Sequence, residues 1–107
     1  MRTSHRERSA EKGALELALG TAIGMVAKVG GERLDVVAVT RNRVCLSPRD
    51  LTDGEEIAQV LQCAIPLDHR LTVPEYTMWT GRRGDLEVQV RSALRDPAVA
   101  HGTGALE

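Results

Sequence analysis

Apolar residues recur through the first third of the chain at helical spacing. Leu15, Ala18, Leu19, Ala22, Ile23, Val26 and Val29 share one broad face, the stripe that an amphipathic core helix presents. Ser9 offers an N-cap and Gly30-Gly31 a stop, because glycine takes the left-handed conformation that closes helices. The opposite side of the same helix is unusual. It carries Leu17, Gly20, Thr21, Gly24 and Ala27, with charge confined to Glu16 and Lys28 at its ends. A solvated face holds more charge, and each interior glycine costs about 1 kcal/mol relative to alanine. Close approach of another backbone is the usual compensation, and a kink is the structural alternative.

After the double glycine the period changes to two. Leu34 to Thr40 is valine-rich, Arg43 to Ser47 alternates, and Arg41-Asn42 separates them, which predicts a β-hairpin. Thr52-x-x-Glu55 reads as a capping box, and Ile57, Val60, Leu61 and Ala64 follow at helical spacing. A second helix is therefore predicted from Asp53 to Ala64, ending before Pro66. Alternation returns with Leu71 and Val73, breaks at Pro74, and resumes in Tyr76 and Met78 and then in Leu86, Val88 and Val90. Pro74 belongs at an edge or between two short strands. Gly81 to Asp85 reads as the turn between the last two strands, its glycines supplying positive φ. Ser92 to Arg95 is read as a short closing helix, although residues 86–95 suit either period.

The predicted fold is α+β. An antiparallel sheet of four to five strands carries two main helices in a single layer, in the order α-β-β-α-β-β(-β)-(α). Residues 1–8 read as a polar tail, 9–98 as one domain, and 99–107 as a Gly- and Ala-rich flexible tail.

Composition alters this picture at three points. The 107 residues include no Phe, one Trp (Trp79) and one Tyr (Tyr76), so aliphatic side chains fill the interior and bury less area per residue. A formal net charge of −1 argues against a surface built wholly to trap polyanions. The basic residues are arginines apart from Lys12 and Lys28, a bias shared by bacterial-like, GC-rich coding and by phosphate recognition. Cys45 and Cys63 lie in apolar contexts and are expected to be buried free thiols of a reducing compartment, the cytoplasm. Arg2, Arg6 and Arg8 before an apolar run imitate a secretory signal. Glu7 and Glu11 dilute its basic region, Glu16 interrupts the run, and Val26-Ala27-Lys28 is a poor cleavage site. The uncharged stretch Leu17–Ala27 falls short of the ~20 residues that a membrane span needs.

Candidate chemistry is sparse. Neither phosphate-binding glycine fingerprint is present, and His5, His69, His101, Cys45 and Cys63 lack metal-ligand spacing, so no cofactor or metal is expected. Asp68 and His69 are adjacent in an extended segment and point to opposite faces, which prevents one from orienting the other. Cys63 and His69 are separated by a helix end and Pro66. Glu55-Glu56 sit where the helix dipole already favours carboxylates.

Two arrangements suggest binding instead. Arg41 and Arg43 flank one predicted turn, and Arg82 and Arg83 form the tip of another. Projected from one end of the sheet, they would make a basic rim with Trp79 or Tyr76 available for stacking. Asp35, Asp50, Asp85 and Glu87 are interspersed and oppose this, and charged hairpin tips also serve simply as solvated edge protection. Tyr76 and Trp79 are out of phase, so one faces the core and the other faces outward, where an exposed Trp would be an interface anchor. The leading functional expectation is a non-catalytic protein-interaction module. It would be a homodimer, or an accessory subunit of a larger assembly, with Leu17, Gly20, Thr21, Gly24, Ala27 and Trp79 as contact residues. A nucleic-acid-binding regulator using Arg41, Arg43, Arg82 and Arg83 is one alternative, and a small motif-less enzyme with a pocket on the sheet is another.

Overall fold

Valine and leucine at alternate strand positions provide the surface on which both helices rest. The computed structural model describes residues 2–95, with side chains from residue 13 onward. Helix α1 (Arg2–Val29) is followed by the hairpin β1 (Leu34–Val39) and β2 (Arg43–Pro48). Helix α2 (Gly54–Val60) then leads into β3 (Ile65–His69), β4 (Tyr76–Arg83) and β5 (Leu86–Ala93). Single 3₁₀ turns, Gly31–Arg33 and Leu51–Asp53, precede β1 and α2. The five strands lie in the order β1-β2-β5-β4-β3.

The architecture is α+β, with both helices on one face of the sheet. One pairing departs from the all-antiparallel expectation: β2 and β5 run parallel, with Val44 beside Val88 and Leu46 beside Val90. Hydrophobic periodicity reports which face a residue occupies and carries no information about which strands become neighbours. The crossover through α2, β3 and β4 creates the parallel pair.

The core lies between this central pair and the helices. From the sheet come Val44, Leu46, Leu86, Val88 and Val90; α1 contributes Ala18, Ala22, Met25 and Val29; Ile57, Ala58, Leu61 and Cys63 come from α2 and its exit. Two glycines make the approach of α2 possible. A Cβ on Gly54 would collide with the Arg91 carbonyl and lie 2.6 Å from Ser92 Cβ, and one on Gly81 would lie 2.7 Å from the Gln62 carbonyl oxygen.

Several local expectations are corrected. Helix α1 begins at Arg2, ahead of Ser9, and its buried stripe is narrower than the seven residues predicted. Leu15, Leu19 and Ile23 are exposed; Leu19 and Ile23 lie on the flank beside β1, the last strand on that side, with Val37 and Val39 opposite them. Helix α2 stops at Val60, four residues short of the expected Ala64. Gln62 takes a left-handed φ of 61°, and the Cys63 N–H closes the end on the Ala58 carbonyl at 2.8 Å. The capping box does not form. Asp50 instead accepts from the Thr52 N–H and hydroxyl at 3.0 and 2.7 Å. The released residues 61–64 form the helix exit, and β3 begins directly after them at Ile65, a strand whose Pro66 is tolerated because it lies at the sheet edge. Leu71 and Val73 are fully exposed in the β3–β4 loop, Gly81 lies inside β4, and Gly84 alone provides the turn's positive φ, 61°. The closing helix is absent from the described residues, since β5 continues to Ala93. The tail 99–107 lies outside them.

Candidate interaction surface

Along α1, burial changes from residue to residue. Ala18 and Ala22 are small enough to seat the helix closely on the sheet, which leaves longer neighbours on its flanks uncovered. Leu17 is 75% and Ile23 69% exposed. On the flank toward β1, Leu19, Ala22, Ile23 and Val26 form one wall of a groove of about 310 Å³, and Val37 and Val39 form the other. Val36 is also exposed on β1, and the only charge in that strand is Asp35.

The backbone of β1 adds a second property. Thr40 N–H donates to the Arg43 carbonyl at 2.8 Å, which fixes the alternation of the hairpin. Ala38 and Val36 therefore exchange hydrogen bonds with β2, whereas Val37 and Val39 turn their N–H and C=O groups to the outer edge. Among the described residues no strand pairs with that edge. The opposite edge, β3, is blunted by Pro66, which has no N–H to donate.

The expected contact residues of α1 divide into two groups. Gly20, Gly24 and Ala27 form an exposed outer ridge, and among the described residues a Cβ on either glycine would meet nothing within 4 Å. Close backbone approach among the described residues therefore does not explain these glycines. Leu17 and Thr21 line a depression of about 400 Å³ shared with Arg41, Asn42, Arg83 and Asp85. Trp79 takes the inward phase. Its ring packs against the core, and its indole N–H donates to Ser92 Oγ at 2.9 Å. One side of the indole contributes to a shallow recess with Gln59, Gln62, Cys63 and Ala64.

The arginine-bearing tips do meet at one end of the sheet, because the parallel register places Arg43 beside Glu87 and the Glu87 N–H donates to the Asn42 carbonyl. Acidic and carbonyl partners meet there as well. Arg43 Nε donates to Glu87 Oε1 at 2.6 Å, and Arg82 Nη2 donates to the Asp85 carbonyl at 3.3 Å.

The possible catalytic pairs come apart. His69 lies on the uncovered face of the sheet, stacked on Tyr76 with ring centroids 4.5 Å apart, while the Arg91 guanidinium sits 4.3 Å over the same Tyr76 ring. Cys63 is buried on the helix-covered face, where burial pushes its thiol up to about 11. Cys45 is half-buried on the uncovered face and is also raised by burial; both cysteines are free. Asp68 faces the helices. It accepts the Thr77 hydroxyl at 2.8 Å and Arg95 Nε at 3.0 and 3.2 Å. The Thr77 hydrogen bond, opposed by desolvation and reinforced by Arg95, holds its carboxyl below the usual range. Among the described residues no three His, Cys, Asp or Glu side chains cluster as metal ligands, and no helix is long and apolar enough to cross a membrane.

No family model matches the chain, and comparison with curated proteins and with solved structures gave no match either.

Proposed function

We propose that this chain is a small non-catalytic protein-interaction module, working as a homodimer or as an accessory subunit of a larger assembly. The observation that carries the reading is the continuous apolar surface formed by Leu19, Ile23 and Val26 of α1 with Val37 and Val39 of β1, beside a sheet edge with outward-facing amide groups. Leu17 and the Gly20–Gly24–Ala27 ridge extend it around the helix. Scattered apolar residues are normal on a monomer; a contiguous strip joined to an unguarded strand edge marks a contact site.

Sedimentation of the wild-type chain at micromolar concentration, and of Leu17→Glu and Ile23→Glu, tests the reading. Association that weakens in either variant supports it. A monomer whose co-purifying proteins in its own host are the same as those of Ile23→Glu would sink it.

The nucleic-acid alternative gains the juxtaposition of the two hairpin tips. It loses weight because Glu87 and the Asp85 carbonyl already engage Arg43 and Arg82, and interleaved acids weaken attraction for phosphates.

A further inference from the structure

The depression of about 400 Å³ between α1 and the two hairpin tips has a lining of two unlike halves. Its wall is apolar, with Leu17 and Ala18 of α1 facing Leu86 of β5, and its rim carries Asn42, Arg83 and Asp85. We infer that it is a binding site for a free α-amino acid with an apolar side chain. The site goes beyond the interaction reading above and needs no part of the β1 edge.

Arg83 closes β4 opposite Leu86, so its side chain takes the helix-covered face together with that core leucine. It is half-buried there. Among the described residues it has no hydrogen bond or ion pair, in contrast to Arg33, Arg43 and Arg95, each of which is held by a carboxylate. An unmatched guanidinium at the mouth of an apolar recess is a receptor for a carboxylate, which its planar fork grips through two N–H groups. Asp85 follows Gly84 in the turn and does not pair with Arg83. Its carbonyl is held by Arg82, and among the described residues its carboxylate has no partner, which leaves it open to a cation. Asn42 Oδ1 accepts the Thr40 hydroxyl at 3.0 Å, so its amide N–H groups are left to donate. Arg41, which has an interaction of its own, is not required. A simple anion would leave Asp85 unmatched and be repelled by it, and a simple amine would meet the same opposition at Arg83. An α-amino acid carries both charges on one carbon, and its apolar side chain covers the wall of Leu17, Ala18 and Leu86. The recess has the size of small-ligand sites, which combine an apolar lining with a few convergent polar groups.

The probe is L-leucine, titrated by calorimetry into the full chain up to millimolar concentration. Saturable binding is expected, about tenfold tighter than for glycine, which lacks the apolar part. The same margin should separate it from 4-methylpentanoate, which lacks the ammonium group, and from 3-methylbutylamine, which lacks the carboxylate. Arg83→Gln and Asp85→Asn should each raise the dissociation constant for L-leucine about tenfold, with thermal melts showing that both variants fold. In Asp85→Asn, 4-methylpentanoate should bind at least as tightly as L-leucine, because it then meets Arg83 without a repelling neighbour. Absence of saturable L-leucine binding to the wild-type chain would overturn the inference. So would 4-methylpentanoate binding the wild-type chain as well as L-leucine does, or an affinity that survives both substitutions. None of these outcomes touches the interaction reading, which sedimentation tests separately.

Discussion

At the scale of single residues, the fold depends on places where a side chain is missing or a charge is held. Gly54→Ala and Gly81→Ala each force a methyl group against backbone across the α2–sheet contact. Each is expected to lower stability by ~1–3 kcal/mol in chemical denaturation, the range of core overpacking. Asp68 gives a pH-dependent case. Its folded pKa is depressed by Thr77, with Arg95 adding to the effect, so its contribution is present above the unfolded carboxylate pKa and is lost as pH falls through the folded value. Asp68→Asn should therefore cost about 1–2 kcal/mol near neutral pH. The difference from wild type should disappear in acid. A gap that persists unchanged at low pH would show that the carboxylate charge does not matter. Neither glycine role could be read from sequence. Gly54 stood inside an apparent capping box and Gly81 inside an apparent turn, and close approach is a property of the assembled layers.

At the scale of elements, the legible part was whatever local periodicity controls. The hairpin of β1 and β2, the existence of both helices and the strands β4 and β5 follow from apolar spacing and turn residues. The misread parts were decided by non-local geometry. β3 was hidden by Pro66, which argues against an interior strand and is harmless at an edge, and Leu71 and Val73 mimicked a strand while lying in a loop. The α1 stripe looked broader than it is because nothing in its spacing tells where the sheet beneath it ends. Its outer ridge yields a direct measurement. With open space around both glycines, Gly20→Ala and Gly24→Ala should each raise folding stability by up to ~1 kcal/mol. Gly20→Leu should leave folding intact and reduce association, as read by sedimentation beside a thermal melt. Unchanged association in that variant would remove the ridge from the contact surface.

At the scale of the whole molecule, the groove beside β1 lies on one side and the arginine-bearing tips at one end, with the depression lined by Leu17, Thr21, Arg41 and Arg83 common to both candidate surfaces. Arg82 lies outside both the groove and that depression, and Arg82→Glu is therefore expected to leave self-association unchanged. Salt-dependent binding of mixed DNA or RNA that this variant abolished would favour the nucleic-acid alternative. The parallel seam between β2 and β5 has a further effect, on the order in which the chain can be built. Val44 and Leu46 have no sheet neighbour on their inner side until Val88 and Val90 arrive, and those residues leave the ribosome after α2, β3 and β4. A nascent chain with α1 and the first hairpin alone thus carries half a core, its apolar face waiting for the last strand. Closing so distant a contact is entropically slow. β5 is the closing piece of the molecule, and its arrival turns three local structures into one cooperative unit.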